Sequence, residues 1–313
     1  MKILVTGAAG FIGSHTAEYF AKQGHQVYGL DNFDGYYDIA LKKINQKDIE
    51  DAGVHFVEVD LLDDLKAKLP GDFDYIFHYA AQPGISAATP LGEYVRNNIF
   101  ATQNLLEWVY ATSPELKLFV NIATSSIYGK FATLPETAVP EPISFYGTTK
   151  LAAEQLVLGA HRSEKLPACS LRLYSVYGPR ERPEKLYTKL IKSIFEQTAF
   201  PLFEGSEKHS RSFTYVGDIV DAMASVIGKE DSIKGEIINI GTDVTYTTGQ
   251  GIALIEQIIG LKAKIQTQSP RPGDQLKTTA LITKARKLLG YNPETSFEEG
   301  LKAQVQWYED KFL

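Results

Sequence analysis

The sequence predicts an α/β protein in which a Rossmann-like, doubly wound parallel sheet is joined to a smaller mixed α/β substrate domain. Three observations carry that expectation. The first half alternates short β-branched or aromatic runs with longer helical patterns, the alternation that builds a parallel sheet with helices on both faces. The first apolar run, KILVT, passes directly into a glycine-rich turn, GAAGFIG, which opens a helical pattern. After Tyr174 the regularity breaks into a Pro- and charge-rich stretch, VYGPRERPEK, followed by short mixed segments.

Taken in order, KILVTG is the first strand and 14–23 the first helix, and QVYGL, HFVEV and DYIFHYA supply further strands. A helix is expected over 94–110, LKLFVNIA follows as a strand, a helix covers 144–162, and ACSLRLY reads as a buried strand by its length and content. The sheet therefore has at least six strands. Beyond it, a helix ends near 197, PLFEG and SFTYV are strand-like, and helical patterns cover 218–227, 248–259, 283–289 and 297–307. The expected division gives 1–173 to a dinucleotide-binding domain, with segments near 212–241 returning to it, and 174–313 mainly to substrate binding.

Composition narrows the partners. A net charge of −6 with scattered Lys and Arg offers no basic face for nucleic acid. No apolar stretch approaches the roughly 18 residues of a membrane span, and the strand pattern begins at Lys2, so neither a bilayer nor a signal peptide is expected. The lone Cys169, in the apolar run ACSLRLY, reads as a buried core thiol and suits a reducing cytoplasm. No metal site is assigned.

In the glycine turn, Gly7 permits a tight bend, Gly10 lets backbone approach a pyrophosphate, and Gly13 lets helix and strand pack closely. The second strand ends in Asp31, 18 residues after Gly13, where a carboxylate can bind adenosine ribose hydroxyls and repel a 2′-phosphate. NAD is therefore the expected cofactor. Phe11 and Ile12 in the turn, and Asn32 beside Asp31, are assigned to the same site.

The run FVNIATSSIYG places Thr124, Ser125 and Ser126 at a strand end, where an open α/β sheet presents its ligand crevice. Downstream, FYGTTK sets Tyr146 and Lys150 at i and i+4 on one helical face. A phenol of pKa about 10 is a poor base near neutrality unless positive charge stabilises its anion. Lys150 and an oxidised nicotinamide are the expected sources.

With GAAGFIGSH, DNFDGYYD, HYAAQPG, YVRNN, ATSSIYG, LRLYSVYGPRERP, RSFTYVGDIV and RPGD, the chain resembles the extended short-chain dehydrogenase/reductase family over nearly its whole length. Within that family it resembles the UDP-glucose and UDP-glucuronate 4-epimerases. The resemblance implies that Asp60, Leu61, Ala80, Ala81, Gln82 and Asn98 line the NAD site together with Tyr146 and Lys150, and that Thr124, Tyr146 and Lys150 form the catalytic set. It places Ser175 in the sugar pocket with Ser125 and Ser126, Arg211 and Arg271 on the UDP moiety, Asp274 beside its ribose, and Arg182 on a sugar C6 carboxylate. It also implies a homodimer through the helices at 94–110 and 144–162. Ser212, where an acid is common, and Leu281, where an aspartate is usual, depart from the pattern.

Relatives that dehydrate or decarboxylate the sugar carry a carboxylate in the hydroxyl cluster, where this chain has Ser126. Inversion at C4 through a transient 4-keto sugar needs no such acid. The expected activity is thus NAD-dependent C4 inversion of a UDP-sugar, with glucuronate just ahead of glucose and N-acetylglucosamine also open. A dehydratase, a decarboxylase, a 4-keto reductase and a non-catalytic NAD-binding regulator are the alternatives.

Overall fold

The computed structural model describes residues 1–84, 88–269 and 278–313. Seven strands form the central sheet: β1 (Lys2–Thr6), β2 (Gln26–Asp31), β3 (His55–Glu58), β4 (Tyr75–His78), β5 (Leu118–Thr124), β6 (Ala168–Leu173) and a last strand, Ile237–Ile240. Their spatial order is last strand–β6–β5–β4–β1–β2–β3, with every neighbouring pair parallel. The chain reverses direction across the sheet at β1, so the carboxyl ends of β1 and β4 open a crevice there. Every residue of β5 and β6 is buried, as expected for strands covered on both faces.

Alternation along β1 shows how the two faces are filled. Ile3 and Val5 join one apolar cluster with Phe20 and Met223, while Leu4 points into the other with Leu105, Trp108 and Val157. The covering helices are α1 (Phe11–Lys22), α2 (Ile39–Asp51), α3 (Leu91–Tyr94), α4 (Ala101–Thr112) and α5 (Phe145–Arg162), α3 and α4 being joined by a π-helical stretch, Val95–Phe100. Residues from the second half complete the first cluster, with Ile219 and Met223 from helix Val216–Ala224 and Ala285 and Leu289 from helix Thr283–Leu289. A third, aromatic cluster of Tyr177, Tyr187, Phe213, Phe297 and Tyr308 forms the heart of the smaller part.

All six expected strands are present, and α2, the last strand and strand Lys264–Gln268 are among the elements that go beyond the sequence expectation. Helix α2 has the sequence IALKKINQKDIED, and only Lys42, Asn45 and Ile49 are buried, so it lacks a readable apolar stripe. The last strand contributes only IINI to the sheet. Strand Lys264–Gln268 is exposed at every residue, yet pairs in parallel with Ala199–Phe203.

Candidate functional site

The turn between β1 and α1 is shaped by contacts that leave no space for side chains. Gly7 has φ +68°, and a Cβ on Gly13 would stand 2.3 Å from the Gly7 carbonyl oxygen. Helix α1 therefore presses its first turn onto the loop, and no side chain caps it at Gly10. Its first N–H groups are left facing a cleft of about 680 Å³. That cradle suits a dinucleotide pyrophosphate.

Gly7, Gly10, Phe11, Ile12 and Gly13 line this end of the cleft, Asp31, Asn32, Asp60 and Leu61 extend it, and Ala80, Ala81 and Gln82 continue along one wall. Asp31 is 6% exposed. Its Oδ1 accepts from Phe33 N at 2.9 Å and from Lys42 Nζ at 3.2 Å. Lys42, itself buried, was not anticipated, because α2 was not. Burial alone would raise the Asp60 carboxyl, but hydrogen bonds from Leu62 N, Asn32 and Arg96 hold it below the usual range.

Asn98 is buried beside the cleft wall. Its Oδ1 accepts from Gln82 N at 2.7 Å and its Nδ2 donates to Thr149 Oγ1 at 2.9 Å, so it ties the Gln82 loop to α5 from one layer behind the wall. The neighbouring Asn97 lines the cleft instead and donates to Gln82 Oε1. Arg271 and Asp274 lie outside the described residues.

At the waist, β5 ends in Thr124, whose Oγ1 accepts from Ser126 N at 3.2 Å and donates to Ser126 Oγ at 3.3 Å. Helix α5 begins beside this hydroxyl turn, capped by Ser144. Its approach is close: a Cβ on Gly147 would lie 2.6 Å from the Ser126 carbonyl oxygen. Thr124, Ser125, Ser126, Tyr146 and Lys150 all face the cleft. Burial raises the Tyr146 phenol, and its hydrogen bond with Thr124 and the charge of Arg182 pull it back only in part. Burial lowers Lys150 to about 8, opposed by Glu154.

Behind the waist, Glu154 is fully buried and takes Arg172 Nε at 3.0 Å and Nη2 at 2.6 Å, a two-point tie between α5 and β6. His78 sits between the hydroxyls of Thr6, at 2.8 Å, and Thr102, at 3.0 Å. Burial and the Lys150 charge hold it near pKa 3, so it stays neutral.

The far end brings together Ser175, Arg182 and Arg211 with residues that the sequence reading did not assign: Tyr36, Glu181, Glu184 and Lys185. The Arg182 guanidinium lies 5.5 Å from the Tyr36 ring centroid, donates to the Tyr36 hydroxyl and pairs with Glu184 at 2.8 Å. Glu181 accepts from Gln304 Nε2 at 2.8 Å and Thr188 Oγ1 at 3.1 Å. Burial nevertheless raises its carboxyl to about 7. Helix Leu186–Phe195 starts here without a side-chain cap. The DNFDGYYD and PRERPEK segments held these residues in plain view, but nothing local says that loop 32–38 meets loop 181–185.

Among the described residues, no group of three His, Cys, Asp or Glu could hold a metal ion, and no helix is long and apolar enough to cross a membrane.

Residues 3–241 match the family model described as the NAD dependent epimerase/dehydratase family. The chain is 39% identical to the uncharacterized UDP-glucose epimerase YtcB of Bacillus subtilis, over 98% of each protein. It is 33% identical to UDP-glucuronate 4-epimerase 2 of Arabidopsis thaliana, over 98% of this chain and 76% of that one. The crystal structure of a UDP-glucuronic acid 4-epimerase from Bacillus cereus with UDP-glucuronic acid and NAD is similar over 100% of both chains, with TM-score 0.91 and 35% identity.

Proposed function

Because the chain belongs to the NAD dependent epimerase/dehydratase family, of the extended short-chain dehydrogenase/reductase type, we propose that it inverts C4 of a UDP-sugar, UDP-glucuronate ahead of UDP-glucose. The observation that carries this reading is the meeting of Thr124, Tyr146 and Lys150 at the waist of the cleft, with the Ser126 hydroxyl rather than a carboxylate beside Thr124.

NAD would be held by the glycine turn, Asp31 and the wall from Ala80 to Gln82, and when bound it supplies a reversible hydride acceptor at C4. Tyr146 takes the C4 hydroxyl proton while Thr124 hydrogen-bonds the same oxygen, and Lys150 supplies the positive charge that a phenolate needs. The resulting 4-keto sugar turns about its link to the diphosphate so that C4 would take the hydride back on its opposite face, while Tyr146 returns the proton to the C4 oxygen. Arg211, with Arg271 and Asp274, would anchor UDP during that turn, guanidinium groups being well shaped for diphosphate oxygens. Ser125, Ser126 and Ser175 offer hydroxyls to the sugar, and Arg182 offers a guanidinium to a C6 carboxylate.

In this reading 1–173 and the returning segments carry NAD, and the remainder carries the UDP-sugar. The protein acts in the cytoplasm, consistent with its buried free Cys169. It acts as a homodimer through α4 and α5, near whose starts Phe100 is 58% and Phe145 54% exposed. The test is incubation of purified protein with UDP-glucuronate, UDP-glucose and UDP-N-acetylglucosamine, with C4 epimers separated by chromatography or NMR. Release of a dehydrated or decarboxylated sugar, or stoichiometric consumption of added NAD(P)H, would overturn it.

A further inference from the structure

We propose that Glu184 is a built-in counter-ion that competes with the substrate for Arg182, and so sets how strongly the protein prefers a hexuronate to a neutral hexose. The inference rests on reading the cleft as a UDP-sugar site.

The two partners of this ion pair are unequally held. The Arg182 side chain is 12% exposed and the Glu184 side chain 42%. The guanidinium is fixed by its contacts with Tyr36, whereas the carboxylate stands at the rim with water on one side. The pair is also incomplete. Nη1 of Arg182 lies 2.8 Å from Glu184 Oε1, yet among the described residues this buried nitrogen has no acceptor in hydrogen-bond alignment. A buried donor without an aligned acceptor is a standing cost, and a guanidinium is best satisfied by a carboxylate that meets it face to face.

Glu184 therefore neutralises Arg182 without saturating it. With a neutral hexose in the cleft the pair stays in place. With a hexuronate, the sugar carboxylate takes the aligned position and Glu184 turns out to solvent, so hexuronate binding alone carries the cost of separating the pair. Glu181, Lys185 and Arg211 also contribute charge at this end, but they bear on the common diphosphate as well as on the sugar. The comparison between the two sugars isolates the Arg182 pair from them.

The experiment is calorimetric titration of the NAD-loaded protein with UDP-glucuronate and with UDP-glucose, for wild type, Glu184→Gln, Arg182→Leu and the double variant. Glu184→Gln is expected to tighten UDP-glucuronate about three- to tenfold and UDP-glucose by less than about twofold, the scale of a partly exposed ion pair. In the Arg182→Leu background the Glu184 substitution should change neither sugar. Equal tightening of both sugars, no change for UDP-glucuronate, or an effect that persists without Arg182 overturns the proposal. The expected pattern in a protein that interconverts neither sugar upholds the counter-ion and refutes the epimerase reading. Binding of neither sugar overturns both.

Discussion

At the glycine-turn end, the cleft wall is backbone and small side chains that follow one another through β1, the turn and α1. At the far end it is long charged side chains brought from loops 32–38 and 181–185 and from Arg211. The first is held by contacts that admit no substitution, since a Cβ on Gly13 has nowhere to go. The second is held by ion pairs and ring contacts whose members can be exchanged one at a time. A cofactor common to many reactions suits the rigid end, and a choice among sugars suits the adjustable one.

Four substitutions would break or sharpen this contrast. The largest effect is expected at the waist, where the ends meet. Tyr146→Phe should lower turnover about a thousandfold, the range of a lost acid–base group, while NAD and UDP-sugar binding stay within about threefold by titration. Retention of most activity would remove Tyr146 from the chemistry. At the rigid end, Gly13→Ala should cost about 10- to 100-fold in NAD affinity through overpacking against Gly7, seen as loss of copurifying nicotinamide. An unchanged cofactor content would mean that the turn can yield.

At the adjustable end, Arg182→Leu should lower UDP-glucuronate turnover about 10- to 100-fold, as expected for a lost charge-assisted hydrogen bond. UDP-glucose should change much less. Equal losses on both sugars would deny Arg182 a carboxylate role.

The smallest effect concerns stability. Burial raises Glu181 from 4.5 to about 7, so the folded state holds its proton more tightly than the unfolded chain does. Its favourable contribution is complete below about pH 4.5 and is lost as pH rises through about 7. Glu181→Gln should therefore melt with wild type near pH 4.5 and roughly 5 °C above it at pH 8. Parallel melting curves at both pH values would show that burial does not perturb this carboxyl.

The same contrast explains what the sequence could reveal. The order strand, three glycines, helix and Asp31 lies within one short segment, and Tyr146 and Lys150 lie one helical turn apart. Such patterns are fixed by local periodicity and can be read without a fold. The meeting of Tyr36 with Arg182, or of Glu181 with Gln304, 123 positions away, depends on how the two halves pack and leaves no local trace. Lys42 was hidden because α2 lacks a readable apolar stripe, with a stability that comes from its Asp38 cap and a few buried contacts. Asn98 is buried and accepts from Gln82 N while its neighbour Asn97 lines the cleft, a one-position distinction that the YVRNN segment does not reveal locally.

The Glu154–Arg172 tie carries a consequence for how this protein can change over time. Losing either partner alone leaves a bare charge in the interior, typically about 3–5 kcal/mol, whereas replacing both together by apolar groups can be nearly neutral. The two positions can therefore drift only as a couple, and a library built from single substitutions would find almost no viable path through them. The helix that carries Tyr146 and Lys150 is in this way locked in register with β6, while the rim around Arg182 remains open to stepwise exploration of new sugars.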